Sequence, residues 1–136
     1  MRACRVLTTA CVALLVVPSA LAATYDGTQP FTCTPTDIVS CTPDAQCQKE
    51  TAESVNLPAA LTFDVAANKI TGTQPNGQPL ATTIDNVRHV ENDLALQGVQ
   101  GHIAWSVTVG KESGEMALAA MGDGTGYIAF GGCSLR

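Results

Sequence analysis

Positive charge is what this chain has least of. Its 7 Lys and Arg stand against 12 Asp and Glu, and no two of the bases are adjacent. Nucleic-acid binding needs clustered Lys and Arg to displace phosphate counterions, and an anionic lipid surface asks for the same. Both partner classes are therefore excluded. Charge of either sign is scarce as well, at 14 % of residues, against roughly 25 % in soluble domains. Thr, Gln, Asn and Ser must carry the polar surface.

Long apolar runs are also missing. Cys11 to Val17 is compact, far short of the ~20 residues that span a bilayer. Arg2 and Arg5 precede the run, Pro18 and Ser19 break it, and Ala20-Leu21-Ala22 follows with small residues at a peptidase's two positions. Residues 1–22 therefore read as a secretory signal peptide, with the mature chain starting at Ala23 and exported to a periplasmic or secreted destination. Cys11 lies at the start of the apolar run, not after it, so it is not read as a lipidation site. No stable membrane span is expected. The remaining 114 residues carry a net charge of −7 and suffice for one modest core.

Thiol-chemistry motifs are absent too. Beyond the signal the cysteines are Cys33, Cys41, Cys47 and Cys133, with no C-x-x-C pair among them. Zinc sites want closely spaced Cys or His, so no metal is assigned. An even count in an exported chain reads as two disulfides. One pattern joins Cys41 to Cys47 locally and Cys33 to Cys133 over most of the chain. The other joins Cys33 to Cys41 or Cys47 and leaves the remaining partner for Cys133.

Catalytic constellations are equally hard to find. Ser106 and Ser113 lack a G-x-S-x-G context, and His89 and His102 are the only histidines. His89-x-Glu91-x-Asp93 places three possible ligands on one strand face, but they splay by nearly 7 Å per step, too far to grip one ion. Gly122-Asp-Gly-Thr-Gly126 lacks the Lys of a phosphate loop and the spaced acids of a calcium loop, so it reads as a hairpin connection. No cofactor and no catalytic residue are assigned. The competing class is a small secreted hydrolase using carboxylates such as Asp64, Asp85 and Glu91.

What the chain does have is period-two patterning. Residues 23–59 read as an extended arm plus one short helix. Phe31 and Cys33 anchor the arm. Thr42-Pro43-Asp44 supplies a hydroxyl cap, a first-turn proline and an acid, and Cys47 staples the helix. From residue 60 to 136 apolar residues alternate, most clearly at Ile103, Trp105, Val107 and Val109. Turn signals fall at Ala67-Asn68, Asn76-Gly77, Gln100-Gly101 and the Gly122–Gly126 stretch. Leu80 to Val90 reads as one strand with a bulge, because Ile84 and Val87 are out of phase. The expected fold is mainly β: an antiparallel meander of about seven short strands, curled into a small up-and-down barrel or half-barrel. Tyr127 opposes Ile128 and Phe130, and an outer-face position beside His102 and Thr108 would make it part of a partner-binding patch.

An arm with Cys, a β-meander and a Cys near the end together resemble, in layout, the periplasmic inhibitors of c-type lysozyme. That family presents a Ser-Gly loop leading to a Tyr. Here Lys111-Glu112-Ser113-Gly114 is the matching loop, Glu115-Met116 follows it, and no Tyr comes before Tyr127. The resemblance implies partner binding through Lys111 and Ser113, with Tyr127 as the third candidate. The primary expectation is a non-enzymatic exported binding or envelope-accessory domain with a protein partner in the cell envelope.

Overall fold

The computed structural model describes residues 24–135; the expected signal peptide lies outside the described residues. These residues form one antiparallel sheet of ten strands that curls into a half-barrel, with no helix among them. The strands are β1 (Phe31–Cys41), β2 (Cys47–Glu50), β3 (Leu61–Asp64), β4 (Lys69–Thr73) and β5 (Pro79–Thr83). They continue as β6 (Asn86–Val90), β7 (Asp93–Gln100), β8 (Ile103–Gly110), β9 (Glu115–Gly122) and β10 (Thr125–Leu135). Their order is β5-β4-β3-β1-β10-β9-β8-β7-β6, with β2 also on β1. Two meanders are thus joined through β1. One side of β1 pairs along β10, and the other side is shared by β3 and then β2.

The extended arm of the sequence reading is therefore the spine of the sheet. Phe31, Cys33 and Pro35 point inward, an extra residue at Thr36 breaks the register against β10, and Ile38 and Ser40 point inward beyond it. The bulge shifts the phase, so the eleven residues never show one clean alternation. The expected helix after Thr42 is also absent. Ala45 N–H bonds to the Thr42 carbonyl at 3.0 Å, and Ala45 takes φ 55°. Thr42-Pro43-Asp44 begins a tight hairpin turn, not a helix, because Pro at the second turn position suits either. The Cys41–Cys47 bridge then closes β1 onto β2.

The turn readings held. Asn68, Gly77, Gly101, Asp123 and Gly124 all take positive φ in the turns read from the sequence. Leu80 to Val90, expected as one bulged strand, is instead two strands, broken at Ile84-Asp85 where the chain passes from β5 to β6 at opposite edges of the sheet; with β1 and β2 in the expected arm and helix, this makes ten strands where about seven were expected. Ile103, Trp105, Val107 and Val109 share the inner face, with Val107 and Val109 buried.

The two ends of the half-barrel are packed differently. At the end where β1 starts, Phe31 stacks on Phe63 with centroids 5.2 Å apart, and Tyr25 meets Phe31 edge-on at 5.8 Å. Such pairs are worth about 0.5–1.5 kcal/mol beyond the area they bury. The Cys33–Cys133 disulfide sits here, between directly opposed residues of β1 and β10. Tyr25 closes the end: its hydroxyl donates to the Cys133 carbonyl at 2.9 Å and its N–H to the Lys111 carbonyl at 2.8 Å. Gly114, at φ 69°, leaves room for the Tyr25 ring, which a Cβ there would meet at 2.7 Å.

Candidate apolar site in the open end

The opposite end is not filled. β8 brings Ile103 and Trp105 inward, β9 Leu118 and Ala120, and β10 Tyr127 and Ala129. The segment after β2 crosses as Val55, Asn56 and Leu57 to form a further wall. Between them lies a cavity of about 300 Å³. Ala120 and Ala129 face one another's neighbourhood from adjacent strands, where Phe31 and Met116 fill the corresponding layers of the closed end. Small side chains at inward positions thus leave the volume that the aromatic residues occupy elsewhere.

Trp105 sets one side of the cavity. It pairs across β7 with Gly98, and a methyl group at Gly98 would overlap the indole and the Thr83 carbonyl. The glycine lets the ring lie over β7 and reach β5, where Nε1 donates to Thr82 Oγ1 at 3.2 Å. Thr82 Oγ1 in turn donates to the Val99 carbonyl at 3.4 Å. The seam between the two arms of the half-barrel is thereby bridged by side chains where no ladder joins β5 to β7.

The polar groups of the lining are Asn56, Gln74, Thr82, Gln100 and Tyr127, and no ionisable acid, Lys, Arg or His is among them. Beside the lining stands Glu50. Ser40, the partner of Tyr127 across β1 and β10, donates to Glu50 Oε1 at 2.7 Å, Gln48 Nε2 to the same oxygen at 2.8 Å, and Ser54 to Oε2 at 2.6 Å. The Ser54, Ser40 and Gln48 donors hold the Glu50 carboxyl below its ordinary range.

Lys111, Ser113 and Tyr127 are not brought together. Lys111 and Ser113 lie on the β8–β9 turn at the closed end. Lys111 Nζ donates to the Glu91 carbonyl at 2.7 Å, and Ser113 Oγ accepts the Glu115 N–H at 3.2 Å. Tyr127 lies toward the other end and faces the cavity, while Ile128 and Phe130 are exposed on the outer face. An outer position for Tyr127 is corrected: the inward Cys133 fixes the parity of β10, and steps of two lead to Ala129 and Tyr127. His89, Glu91 and Asp93 flank the β6–β7 turn, with Glu91 at φ 43°, and do not lie along one strand. Among the described residues no group of three His, Cys, Asp or Glu is placed to hold a metal. Asp64, Asp85 and Glu91 do not line the cavity; Asp64 caps its own turn by accepting the Ala67 N–H at 3.0 Å.

The cavity was not visible to sequence reasoning. Its only signal was the small inward residues Ala120, after Met116 and Leu118 on β9, and Ala129, after Tyr127 on β10. No family model, curated protein or solved structure matches the chain.

Proposed function

We propose that this chain is an exported, non-enzymatic binding domain that takes a small apolar ligand into the open end of its half-barrel. The observation that carries the reading is the cavity of about 300 Å³, apolar with a few convergent amides and hydroxyls, in a domain whose other end has its interior filled by Tyr25, Phe31 and Phe63. Ligand sites are commonly of this make-up, concave and apolar with a few polar groups for orientation. The signal-like residues 1–22 and the two disulfides support an oxidising, periplasmic or secreted destination. The hydrolase reading loses ground because Asp64, Asp85 and Glu91 lie away from the concave site. The lysozyme-inhibitor reading loses ground because Lys111 and Ser113 are separated from Tyr127 by the length of the strands.

The test is titration with dansylamide, a neutral fluorophore that accepts energy from Trp105. Saturable transfer at one site is expected. Ala120→Leu, which fills the cavity, should weaken it at least tenfold, about 1.4 kcal/mol or more. Transfer that never saturates, or that Ala120→Leu leaves unchanged, overturns the reading.

A second reading, a protein partner in the cell envelope, has one observation in its favour. Met121, Ile128 and Phe130 are exposed at 64 %, 46 % and 52 % on the outer face of β9 and β10. Ile128→Asp with Phe130→Asp should abolish capture of such a partner from envelope extract and leave dansylamide binding unchanged. Capture that survives the double substitution removes this surface from consideration.

A further inference from the structure

We propose that the ligand of the open end is a neutral, single-chain amphiphile: an alkyl tail bearing an alcohol or amide head. It is neither a carboxylate such as a fatty acid nor a quaternary ammonium. The inference rests on the binding reading above and adds the chemical class.

Three features of the site carry it. The first is the lining. Its polar members are Asn56, Gln74, Thr82, Gln100 and Tyr127, with no formal charge among them. A charged head drawn inside would leave water without meeting a countercharge, and such burial is strongly unfavourable. An alcohol or amide loses much less. Amide and hydroxyl side chains both donate and accept, as those heads do, so each hydrogen bond lost to water finds a replacement of either polarity.

The second feature is Glu50 at the rim. It stands opposite Ile38, a lining residue, and accepts from Ser40, the partner of Tyr127, and Gln48 at Oε1 and from Ser54 at Oε2. A carboxylate in that place repels an anionic head. Against a cationic head it is the uncharged lining that counts, since a quaternary ammonium drawn among Asn56, Gln74, Thr82, Gln100 and Tyr127 meets no countercharge. The net charge of the whole chain, −5, adds to the repulsion of anions.

The third feature is size. A volume of about 300 Å³ stands at the lower end of the roughly 300–1,000 Å³ common to ligand pockets. Trp105 and Leu118 on one side and Leu57 on another confine it. One tail fits such a space; the two tails of a bilayer lipid do not.

The experiment holds the tail constant and changes the head. n-Decanol, decanoate and decyltrimethylammonium, each below its aggregation limit, are titrated against the wild-type protein at neutral pH and moderate salt. The readouts are dansylamide displacement and Trp105 emission. Decanol is expected to bind at least about tenfold more tightly than either ion, about 1.4 kcal/mol. Gln100→Lys places a cation at the exposed end of β7 and should raise decanoate affinity relative to decanol by about tenfold, with an unchanged thermal midpoint. Equal affinities for the three, or decanoate or the ammonium binding tightest to wild type, overturn the neutral-head inference and leave the cavity reading standing. Failure of all three to displace saturably bound dansylamide overturns the amphiphile inference and leaves the cavity reading standing, whereas no saturable dansylamide binding overturns both. A Gln100→Lys protein that keeps the wild-type preference places the head elsewhere and overturns the rim assignment.

Discussion

At the closed end of the half-barrel Tyr25, Phe31 and Phe63 pack ring against ring, the Cys33–Cys133 bridge crosses beneath them, and Tyr25 ties itself to the Cys133 and Lys111 carbonyls. At the open end the same β1, β9 and β10 carry Ser40, Ala120 and Tyr127 around unfilled space. The β9–β10 ladder runs through both ends and β1 pairs with β10 on either side of the bulge at Thr36, so backbone pairing does not distinguish them. Side-chain volume and covalent closure do. A domain of this size can leave a void at one end only if the other end supplies enough burial to keep the sheet curled. Stability should therefore concentrate where the rings are, and variants at the two ends should part company.

The largest expected difference is between the two disulfides. Cys33–Cys133 closes a loop of 100 residues at the closed end, while Cys41–Cys47 closes one of 6 toward the open end. The chain-entropy model gives roughly 4 to 5 kcal/mol for the first and about 2 for the second. Cys33→Ala/Cys133→Ala should lower the thermal midpoint well below that of Cys41→Ala/Cys47→Ala, both followed by Trp105 fluorescence. A lower midpoint for the Cys41/Cys47 variant would show that the closed end is not the anchor.

Next comes side-chain packing. Phe31→Ala removes a fully buried ring that touches both Tyr25 and Phe63, and should cost about 3–5 kcal/mol in denaturant unfolding. Ala120→Leu adds volume where space already exists, so it should shift stability by less than about 1 kcal/mol. A comparable loss at Ala120 would mean that the open end is close-packed in solution, and the comparison between the ends would fail.

The sequence made the closed end easier to read than the open one. Cys133 near the end of the chain and Cys33 near the anchoring Phe31 marked one of three possible clamps, and that pairing is the one present. The face of β8 was legible because four apolar residues alternate without interruption. β1 was not, because the bulge at Thr36 splits its alternation and its partners on β10 lie about a hundred residues away. Pairing at that separation leaves no local pattern. The turn after Cys41 misled for a related reason: Thr-Pro-Asp opens a helix or a hairpin equally well, and the cross-strand cysteine decides. The cavity depends on which small residues register brings together. Gly98 under Trp105, and Ala120 beside Tyr127 across β9 and β10, are neighbours only once the sheet has formed.

The smallest expected effect is on acidification, and it separates the ends by residue. Glu50 at the open end is held below its ordinary carboxyl value of 4.5 by the Ser54, Ser40 and Gln48 donors, and Asp26 beside the closed end is held below 3.8 by the Thr28 hydroxyl and N–H. A carboxyl whose folded value is depressed stabilises the fold fully above its unfolded value and loses that contribution as pH falls through the folded value. Each contribution should therefore be constant near neutrality and fade only below those ordinary values. Protonated Glu50 keeps a hydrogen bond or two but loses the charge-assisted grip on Ser40 and Ser54. The turn from Thr51 to Leu57, which forms a wall of the cavity, should then open more often. Amide protection at Ser54 and Leu57, corrected for intrinsic exchange, should drop as pH passes below 4.5, while protection at Cys133, bonded to the Gly114 carbonyl, should not. Glu50→Gln should make the Ser54 and Leu57 protection flat over that range, and Asp26→Asn should leave their pH dependence intact. If Glu50→Gln keeps the wild-type pH dependence at Ser54, the carboxylate is not what fastens the wall, and the rim must be held by the backbone turn alone.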